Sequence, residues 1–246
     1  MARISVLDDE ISLDEPTLVE GFPGVGLVGK IATDHMIEVH EMDHYANVHC
    51  DGLPRVAVYQ EDNRTLTTPV RLYADAERNL VALRSDVPVN PSAATEVAGC
   101  LESWFSETAT FPIFLSGLGK EKGEAPPALY GIATGDGGDA LDRAEIKEPS
   151  EAGLVSGPTG AMLAEALERD RDAVGLVVES DPQFPDPEAA RILIKDGVDP
   201  IAGTETPTEG LVDQATEIRD AKRAFAERMQ QATEESSQAE PLKMFQ

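Results

Sequence analysis

One segment near the start of the chain constrains the fold more than any other. Residues 17–20 form a short apolar stretch that predicts a strand, and the glycine-rich turn of residues 21–26 follows it directly. Residues 27–39 then carry apolar side chains at helical spacing. A strand, a tight glycine turn and a helix in this order form the first part of a βαβ unit, so they predict an α/β fold.

The rest of the chain continues this alternation of strand and helix signals. Further strands are predicted near residues 46–50, 55–59, 68–73, 80–84, 111–115, 129–134 and 174–179, and further helices over residues 93–107, 161–168, 187–195 and 211–231. Such alternation predicts a layered α/β domain with a mainly parallel sheet over residues 1–231. Residues 232–246 are polar and acidic until the last few, which are apolar, and they predict a flexible acidic tail.

The charge of the chain excludes several classes of partner. Its 46 acidic and 20 basic residues give a formal net charge of −26. Nucleic acids and anionic membranes are not expected to bind, because both need a basic surface. Apolar runs such as residues 176–178 argue against a disordered chain, so the charge indicates a folded, halophilic protein with a surface suited to high salt. With no apolar leader and no run long enough to cross a bilayer, the protein is expected to be cytoplasmic.

The cysteine and histidine residues give no sign of a metal centre. Cys50 and Cys100 lack the short spacing of a metal-binding or redox pair, and we expect two reduced, buried thiols. The four histidines, at positions 35, 40, 44 and 49, lack the spacing of zinc ligands, so we expect them to pack against neighbours or to face solvent. The sequence predicts no metal and no cofactor.

Two glycine-rich turns leave two interpretations open. The first turn, Gly24-Val25-Gly26-Leu27-Val28-Gly29, fits a dinucleotide-binding pattern in which backbone N–H groups meet a pyrophosphate. Asp43 lies near the spacing of a ribose-binding acid, although neighbouring carboxylates make such a match easy to find. The favoured interpretation is structural, because glycine permits tight turns and close packing. The structural turn glycines are then Gly21, Gly24, Gly26, Gly29, Gly157 and Gly160, and no residue is assigned a catalytic role.

One acidic residue has a clear structural interpretation. Asp186 follows the predicted strand of residues 174–179 and directly precedes Pro187. An aspartate followed by proline is typical of a helix start, so Asp186 is predicted to cap the helix that Pro187 opens.

Three segments of the sequence, residues 20–30, 157–163 and 186–190, together match one pattern. They resemble the signature turn, the second glycine turn and a third block of the PAC2 superfamily of proteasome-assembly chaperones. The resemblance runs in order from about residue 17 to residue 229 and is nearest to archaeal, homo-oligomeric members. It implies a three-layer α/β/α sandwich distantly similar to nucleoside phosphorylases, with no established catalytic centre and with homo-trimers or homo-tetramers.

The resemblance also implies a partner and a way of binding it. Archaeal members of the family are thought to assemble or bind the ring of proteasome α-subunits through a C-terminal motif of a hydrophobic residue, a tyrosine and any residue. This chain ends in Met244, Phe245 and Gln246, so phenylalanine replaces the tyrosine. Met244, Phe245 and Gln246 are therefore the expected partner-binding residues.

Self-association is expected to use the α/β domain rather than the tail. Trp104, Phe105 and Phe184 are large apolar residues beside turns and helix ends, and they are candidates for the interface, with burial in the core as the alternative. The runner-up function is a small-molecule or nucleotide-binding enzyme that uses the glycine-rich turns, and a third is a purely structural oligomer.

Overall fold

The computed structural model describes residues 3–60, 63–121 and 125–213. The strands are β1 (Arg3–Val6), β2 (Thr17–Gly21), β3 (Asp43–His49), β4 (Val58–Gln60), β5 (Asn63–Thr67), β6 (Val70–Asp75), β7 (Leu80–Ser85), β8 (Phe111–Gly119), β9 (Leu129–Thr134) and β10 (Ala173–Ser180). The helices are α1 (Val28–Val39), α2 (Ala94–Glu107), α3 (Gly138–Arg143), α4 (Gly157–Glu168), α5 (Pro187–Ile192) and α6 (Asp199–Ala202), with a π-helical turn, Leu193–Val198, between the last two.

Eight strands form one mixed sheet in the order β1-β3-β6-β7-β2-β8-β10-β9, and β4 and β5 form a separate hairpin. The four central strands β7, β2, β8 and β10 are parallel to one another, whereas the strands on both flanks pair antiparallel. The predicted α/β fold with a mixed sheet is confirmed, and its parallel part is the centre. Because β2 and β8 are parallel neighbours, their carboxyl ends meet at the same edge of the sheet.

The helices cover both faces of the sheet, so the domain has the three layers that the family resemblance implies. Helices α1, α3, α5 and α6 pack on one face, and α2 and α4 pack on the other. Alternation along the central strand explains this arrangement, because Leu18 faces the α2–α4 side and Val19 faces the α1–α5 side, each with no exposed surface.

The structure adds elements that the sequence patterns did not predict. Strand β1 is a half-exposed edge strand, and α3 has only six residues, so neither carries enough apolar periodicity to be recognised. The predicted helix over residues 187–195 continues through the π-helical turn into α6. Of the helix predicted over residues 211–231, only the start, at residues 209–213, is described as helical, and the rest lies outside the described residues with the predicted tail. Within the described part of the chain, no helix has the length and apolarity that a membrane span requires.

Cys50 and Cys100 form a disulfide bond, so the expectation of two reduced thiols is wrong. Cys50 directly follows β3 and Cys100 lies within α2, and the fold brings their Cα atoms to 6.1 Å, a separation that a disulfide can bridge. The two residues are 50 positions apart and meet only when α2 packs across the sheet. The spacing of cysteines in the sequence therefore carries no sign of the bond.

Candidate functional site

The three segments that resemble the PAC2 superfamily meet where the central parallel strands end. Thr159, in the first turn of α4, donates a hydrogen bond from Oγ1 to Glu20 Oε2 at 3.1 Å. The backbone N–H of Asp186, which precedes α5, donates to the carbonyl oxygen of Gly26 at 2.8 Å. The segment that begins with Glu20 is thus hydrogen-bonded to both of the others. We refer to residues 21–29 as the first glycine turn and to residues 157–160 as the second.

Contacts with neighbouring side chains leave no room for a side chain at two glycines of the first turn. A Cβ atom built on Gly21 would lie 1.9 Å from Thr33 Oγ1 of α1. A Cβ atom on Gly26 would lie 1.8 Å from Ser180 Oγ at the end of β10, and the φ angle of Gly26 is +62°. Gly26 therefore satisfies a close contact and a left-handed backbone conformation at the same time.

The other two glycines of the first turn differ from each other. A Cβ atom on Gly29 would lie 3.3 Å from the Cβ atom of Leu115, so α1 approaches β8 closely at this point. A Cβ atom on Gly24 would meet no atom within 4 Å, and the backbone of Gly24 is extended, with φ −139°. Neither sterics nor backbone conformation requires glycine at position 24.

The second glycine turn opens α4. A Cβ atom on Gly160 would lie 2.3 Å from the carbonyl oxygen of Val155, so the chain before the helix packs against the helix itself. Gly157 has a φ angle of +70° and faces open space. The turn places Thr159, which is buried, where its hydroxyl reaches Glu20.

A cavity of about 380 Å³ lies between the two glycine turns at the carboxyl edge of the sheet. Open α/β sheets bind ligands at this edge, where neighbouring strands send their connections to opposite faces. β7 and β2 are such neighbours, because the connection that leaves β7 runs through α2 on one face and the connection that leaves β2 runs through α1 on the other. The polar and backbone lining of the cavity comes from both turns and from β8, and includes Gly24, Ser116, Ser156 and Thr159.

A second and larger cavity, of about 770 Å³, lies beside β9 and β10 under residues 149–155. Lys120 and Glu179 form an ion pair on its wall, and the Lys120 ammonium holds the pKa of the Glu179 carboxyl below its usual value. Lys120 is mostly exposed, so this pair contributes little to stability. Leu154 and Val155 line both cavities.

Glu20 is the most perturbed carboxyl group of the site. It is fully buried, and this burial raises its pKa from the usual 4.5 to about 7, against the lowering effect of three hydrogen bonds. The N–H of Phe22 donates to Oε1 at 2.6 Å, whereas Thr159 Oγ1 and, at 3.4 Å, the N–H of Leu115 donate to Oε2. A single carboxyl group thus joins the first turn, β8 and the second turn, and it changes charge near neutral pH.

The sequence predictions did not assign Glu20 a role of its own. One feature of the sequence pointed to Glu20, because it ends the predicted apolar strand immediately before the glycine turn. Carboxylates are rare in buried strands, so one in this position indicates a specific role. The partners that define its role are 95 and 139 positions away along the chain, so no local pattern contains them.

The prediction that Asp186 caps a helix is confirmed. Its Oδ1 accepts a hydrogen bond from the N–H of Ala189 at 3.1 Å, in the first turn of α5. Its Oδ2 accepts one from the N–H of Asp181 at 3.0 Å and lies 3.3 Å from Ser180 Oγ. Asp186 therefore joins the end of β10, the start of α5 and the first glycine turn.

Asp43 does not belong to the site. It is the first residue of β3. Strand β3 pairs antiparallel with β6, β6 pairs antiparallel with β7, and β7 pairs parallel with β2, so β3 and β2 run in the same direction. The start of β3 is therefore at the opposite edge of the sheet from the first glycine turn. Asp43 cannot contact a ribose whose phosphates are held by that turn.

The histidines pack or face solvent, as predicted. His35 Nε2 donates to the carbonyl oxygen of Pro207 at 2.6 Å, and His40 Nε2 lies 3.0 Å from the hydroxyl of Thr206. The other two are His44, which stacks on Tyr73, and His49, which is exposed. Across the described ranges, no three His, Cys, Asp or Glu side chains are grouped to hold a metal ion.

The candidate partner-binding residues divide into buried, exposed and undescribed ones. Trp104 and Phe105 belong to the core on the α2–α4 side, so the core alternative holds for both. Phe184 is 37% exposed in the loop between β10 and α5. The predicted docking residues, at positions 244–246, lie outside the described residues.

The fold and the joined glycine turns define the class of protein. The model of the PAC2 family matches residues 18–226, so the chain belongs to the PAC2 family. Among curated proteins, an uncharacterized protein of Methanocaldococcus jannaschii is 25% identical over 235 residues, which are 95% of this chain and 94% of that protein.

Solved structures share the fold over nearly the whole chain. Pyrococcus furiosus PbaA, described as an archaeal homolog of proteasome-assembly chaperone, matches with a TM-score of 0.80 and 23% identity, over 96% of this chain and 95% of PbaA. Pyrococcus furiosus PbaB, described as an archaeal proteasome activator, matches with a TM-score of 0.78 and 22% identity, over 92% of this chain and 98% of PbaB. These identities are low, so the two structures show a common fold.

Proposed function

We propose that this protein is a proteasome assembly chaperone that binds the ring of proteasome α-subunits through its C-terminal residues and acts without catalysis. One observation carries the proposal: a PAC2-family chain has the fold of PbaA and PbaB over more than nine-tenths of each chain. Both of those proteins are described by a role with the proteasome.

The end of the sequence supplies the proposed docking element. Met244 and Phe245 are apolar residues after an acidic segment, and Gln246 is the third residue of the proposed motif. Burying one phenyl ring contributes about 1.5–3 kcal/mol to binding. Residues 232–246 would reach roughly 50 Å if extended, at about 3.3 Å per residue, so the ring of Phe245 can enter a pocket away from the domain.

Several tails acting together would bind more tightly than one. A homo-trimer or homo-tetramer would present three or four tails to a symmetric ring, and linked binding events raise avidity steeply when the spacing fits. Large apolar side chains exposed around the carboxyl edge of the sheet support self-association through the domain. They are Val25, Leu118, Leu154 and Phe184.

The working environment follows from the charge. A net charge of −26 at neutral pH creates self-repulsion that concentrated salt screens, so we infer a halophilic protein. Binding experiments therefore belong in molar salt, where the domain is expected to be most stable.

The test is binding to purified proteasome α-rings. We expect Phe245→Ala to weaken binding of the full-length oligomer at least ~10-fold, because each tail loses its buried ring. Phe245→Tyr keeps the ring and is expected to bind as well as the natural chain or better. Surface binding and pull-down in molar salt measure both.

Tyr59→Ala is the matched control, because Tyr59 is an aromatic residue that is 81% exposed on β4. It is expected to bind like the natural chain. Equal binding by Phe245→Ala and the natural chain would show that the tail is not the docking element. Failure of the natural chain to bind α-rings at all would refute the proposed function.

The runner-up, a small-molecule or nucleotide-binding enzyme, has one observation in its favour, the cavity between the glycine turns. Its phosphate-binding form is weakened because Asp43 lies at the opposite edge of the sheet. A bound nucleotide at the first glycine turn would restore it.

A further inference from the structure

We propose that the cavity between the two glycine turns binds a small uncharged molecule that accepts hydrogen bonds, and that Glu20 makes this binding depend on pH. The proposal is independent of proteasome binding. It concerns the 380 Å³ space at the carboxyl edge of β2 and β8.

The lining of the cavity defines the class of ligand. Although 27% of the residues of the chain are charged, none of the sixteen residues that line this cavity is. Nine of the sixteen residues have apolar side chains, but more of the surface that faces the cavity is polar than apolar, and the hydroxyl groups of Ser116, Ser156 and Thr159 are the polar side-chain groups. A charged ligand would lose its hydration here without gaining an ionic partner, which is costly. The volume is within the range of about 300–1,000 Å³ that small-molecule sites occupy.

Gly24 supports a binding role for the cavity, because neither steric contacts nor backbone conformation requires glycine at this position. Its backbone is extended, and a Cβ atom there would meet no atom within 4 Å, yet the residue lines the cavity. A glycine in this position leaves bare backbone at the cavity wall, where a ligand can approach closely. A larger side chain at position 24 would project into open space rather than disturb the turn.

Glu20 lies directly behind the cavity wall. The three groups that donate hydrogen bonds to its carboxyl group belong to Phe22, Leu115 and Thr159, and all three residues line the cavity. These groups face Glu20 from the first turn, from β8 and from α4, and none of them is ionisable. The charge of Glu20 therefore acts on the cavity through hydrogen bonds.

Thr159 couples the ionisation state of Glu20 to the cavity. When Glu20 is ionised, the Thr159 hydroxyl donates to Oε2 and offers only its lone pairs to the cavity. When Oε2 carries a proton, that proton can be donated to the Thr159 oxygen, which frees the Thr159 hydroxyl to donate to a ligand. Because burial raises the pKa of Glu20 to about 7, this change occurs near neutral pH. A ligand that only accepts hydrogen bonds should therefore bind more tightly when Glu20 is protonated.

The experiment uses two aromatic probes of similar size and the full chain in molar salt. Acetophenone is uncharged and only accepts hydrogen bonds, whereas benzoate is an anion. Ligand-observed NMR titration is expected to show saturable binding of acetophenone and at least ~10-fold weaker binding of benzoate, because the cavity has no charged partner. Absence of acetophenone binding, or equal binding of benzoate, would overturn the assignment of an uncharged ligand.

Two leucine substitutions locate the binding. Gly24→Leu adds a large side chain to a residue of the cavity wall, and it is expected to weaken acetophenone binding at least ~10-fold by steric exclusion. Gly99→Leu is the matched control, because a Cβ atom on Gly99, in α2, also meets nothing within 4 Å but lies away from the cavity. Acetophenone that bound equally to Gly24→Leu and Gly99→Leu would place its site elsewhere.

The pH arm tests the role of Glu20. Acetophenone affinity is expected to fall as the pH rises through about 7 in the natural chain and to stay constant in Glu20→Gln, which cannot ionise. Thr159→Val removes the hydroxyl that carries the effect, so its affinity is also expected to be independent of pH. An affinity that was constant with pH in the natural chain would overturn the coupling to Glu20.

Discussion

The two glycine turns lie on either side of the same carboxyl group, but they use glycine for different reasons. In the first turn, Gly21 and Gly26 are fixed by side chains of α1 and β10 that would overlap a Cβ atom. In the second turn, the backbone of Val155 leaves no room for a Cβ atom on Gly160, whereas Gly157 faces open space and only its φ angle of +70° favours glycine. The comparison teaches that a glycine-rich pattern combines steric and conformational requirements, which substitutions can separate.

The largest effect is expected at Gly26, where both requirements coincide. Gly26→Ala would place a Cβ atom against the hydroxyl of Ser180, which is 1% exposed and near Asp186. Left-handed backbone costs a non-glycine residue about 1–2 kcal/mol, and overpacking costs about 1–3 kcal/mol, so the loss of stability should be about 2–5 kcal/mol. Urea unfolding in molar salt measures it.

A double-mutant cycle separates the two causes. Ser180→Ala removes the overlapping oxygen, so the double variant Gly26→Ala/Ser180→Ala should recover the steric part and keep the backbone part of about 1–2 kcal/mol. Strictly additive effects of the two substitutions would contradict a contact between these positions.

A smaller but pH-dependent effect is expected at Glu20, the carboxyl group that joins the turns. Its pKa is raised to about 7 in the folded protein, so folding takes up a proton between the usual pKa of 4.5 and that value. The stabilisation of the folded state by this proton uptake is therefore complete below about pH 4.5 and is lost as the pH rises to about 7. The free energy of unfolding changes by about 3 kcal/mol over this range.

Glu20→Gln removes this titration and keeps the shape of the side chain. The stability of Glu20→Gln relative to the natural chain should accordingly increase between about pH 4.5 and pH 7, at constant salt. Measuring the difference between the two chains cancels the titration of the other carboxylates. Parallel stability curves over this range would show that Glu20 does not titrate as its burial implies.

The local parts of this site could be predicted from the sequence, and its long-range contacts could not. Strand β2, the first glycine turn and α1 are neighbours in the chain, so apolar spacing and glycine predict them together. The capping of α5 by Asp186 is equally local. The hydrogen bond between Glu20 and Thr159 joins residues 139 positions apart, and the disulfide joins residues 50 positions apart. Such contacts depend on how the layers pack, which no short pattern contains.

The smallest effect is expected at Gly157, where the requirement is conformational alone. A Cβ atom there meets nothing within 4 Å, so Gly157→Ala should cost only the left-handed backbone strain of about 1–2 kcal/mol, less than Gly26→Ala. Gly157→Asn should cost less than Gly157→Ala, because asparagine tolerates this conformation better than alanine does. The order glycine, asparagine, alanine in urea unfolding would identify backbone strain as the cause. If Gly157→Asn were instead less stable than Gly157→Ala, side-chain size would be the limit, and Gly157 would be sterically fixed like Gly21.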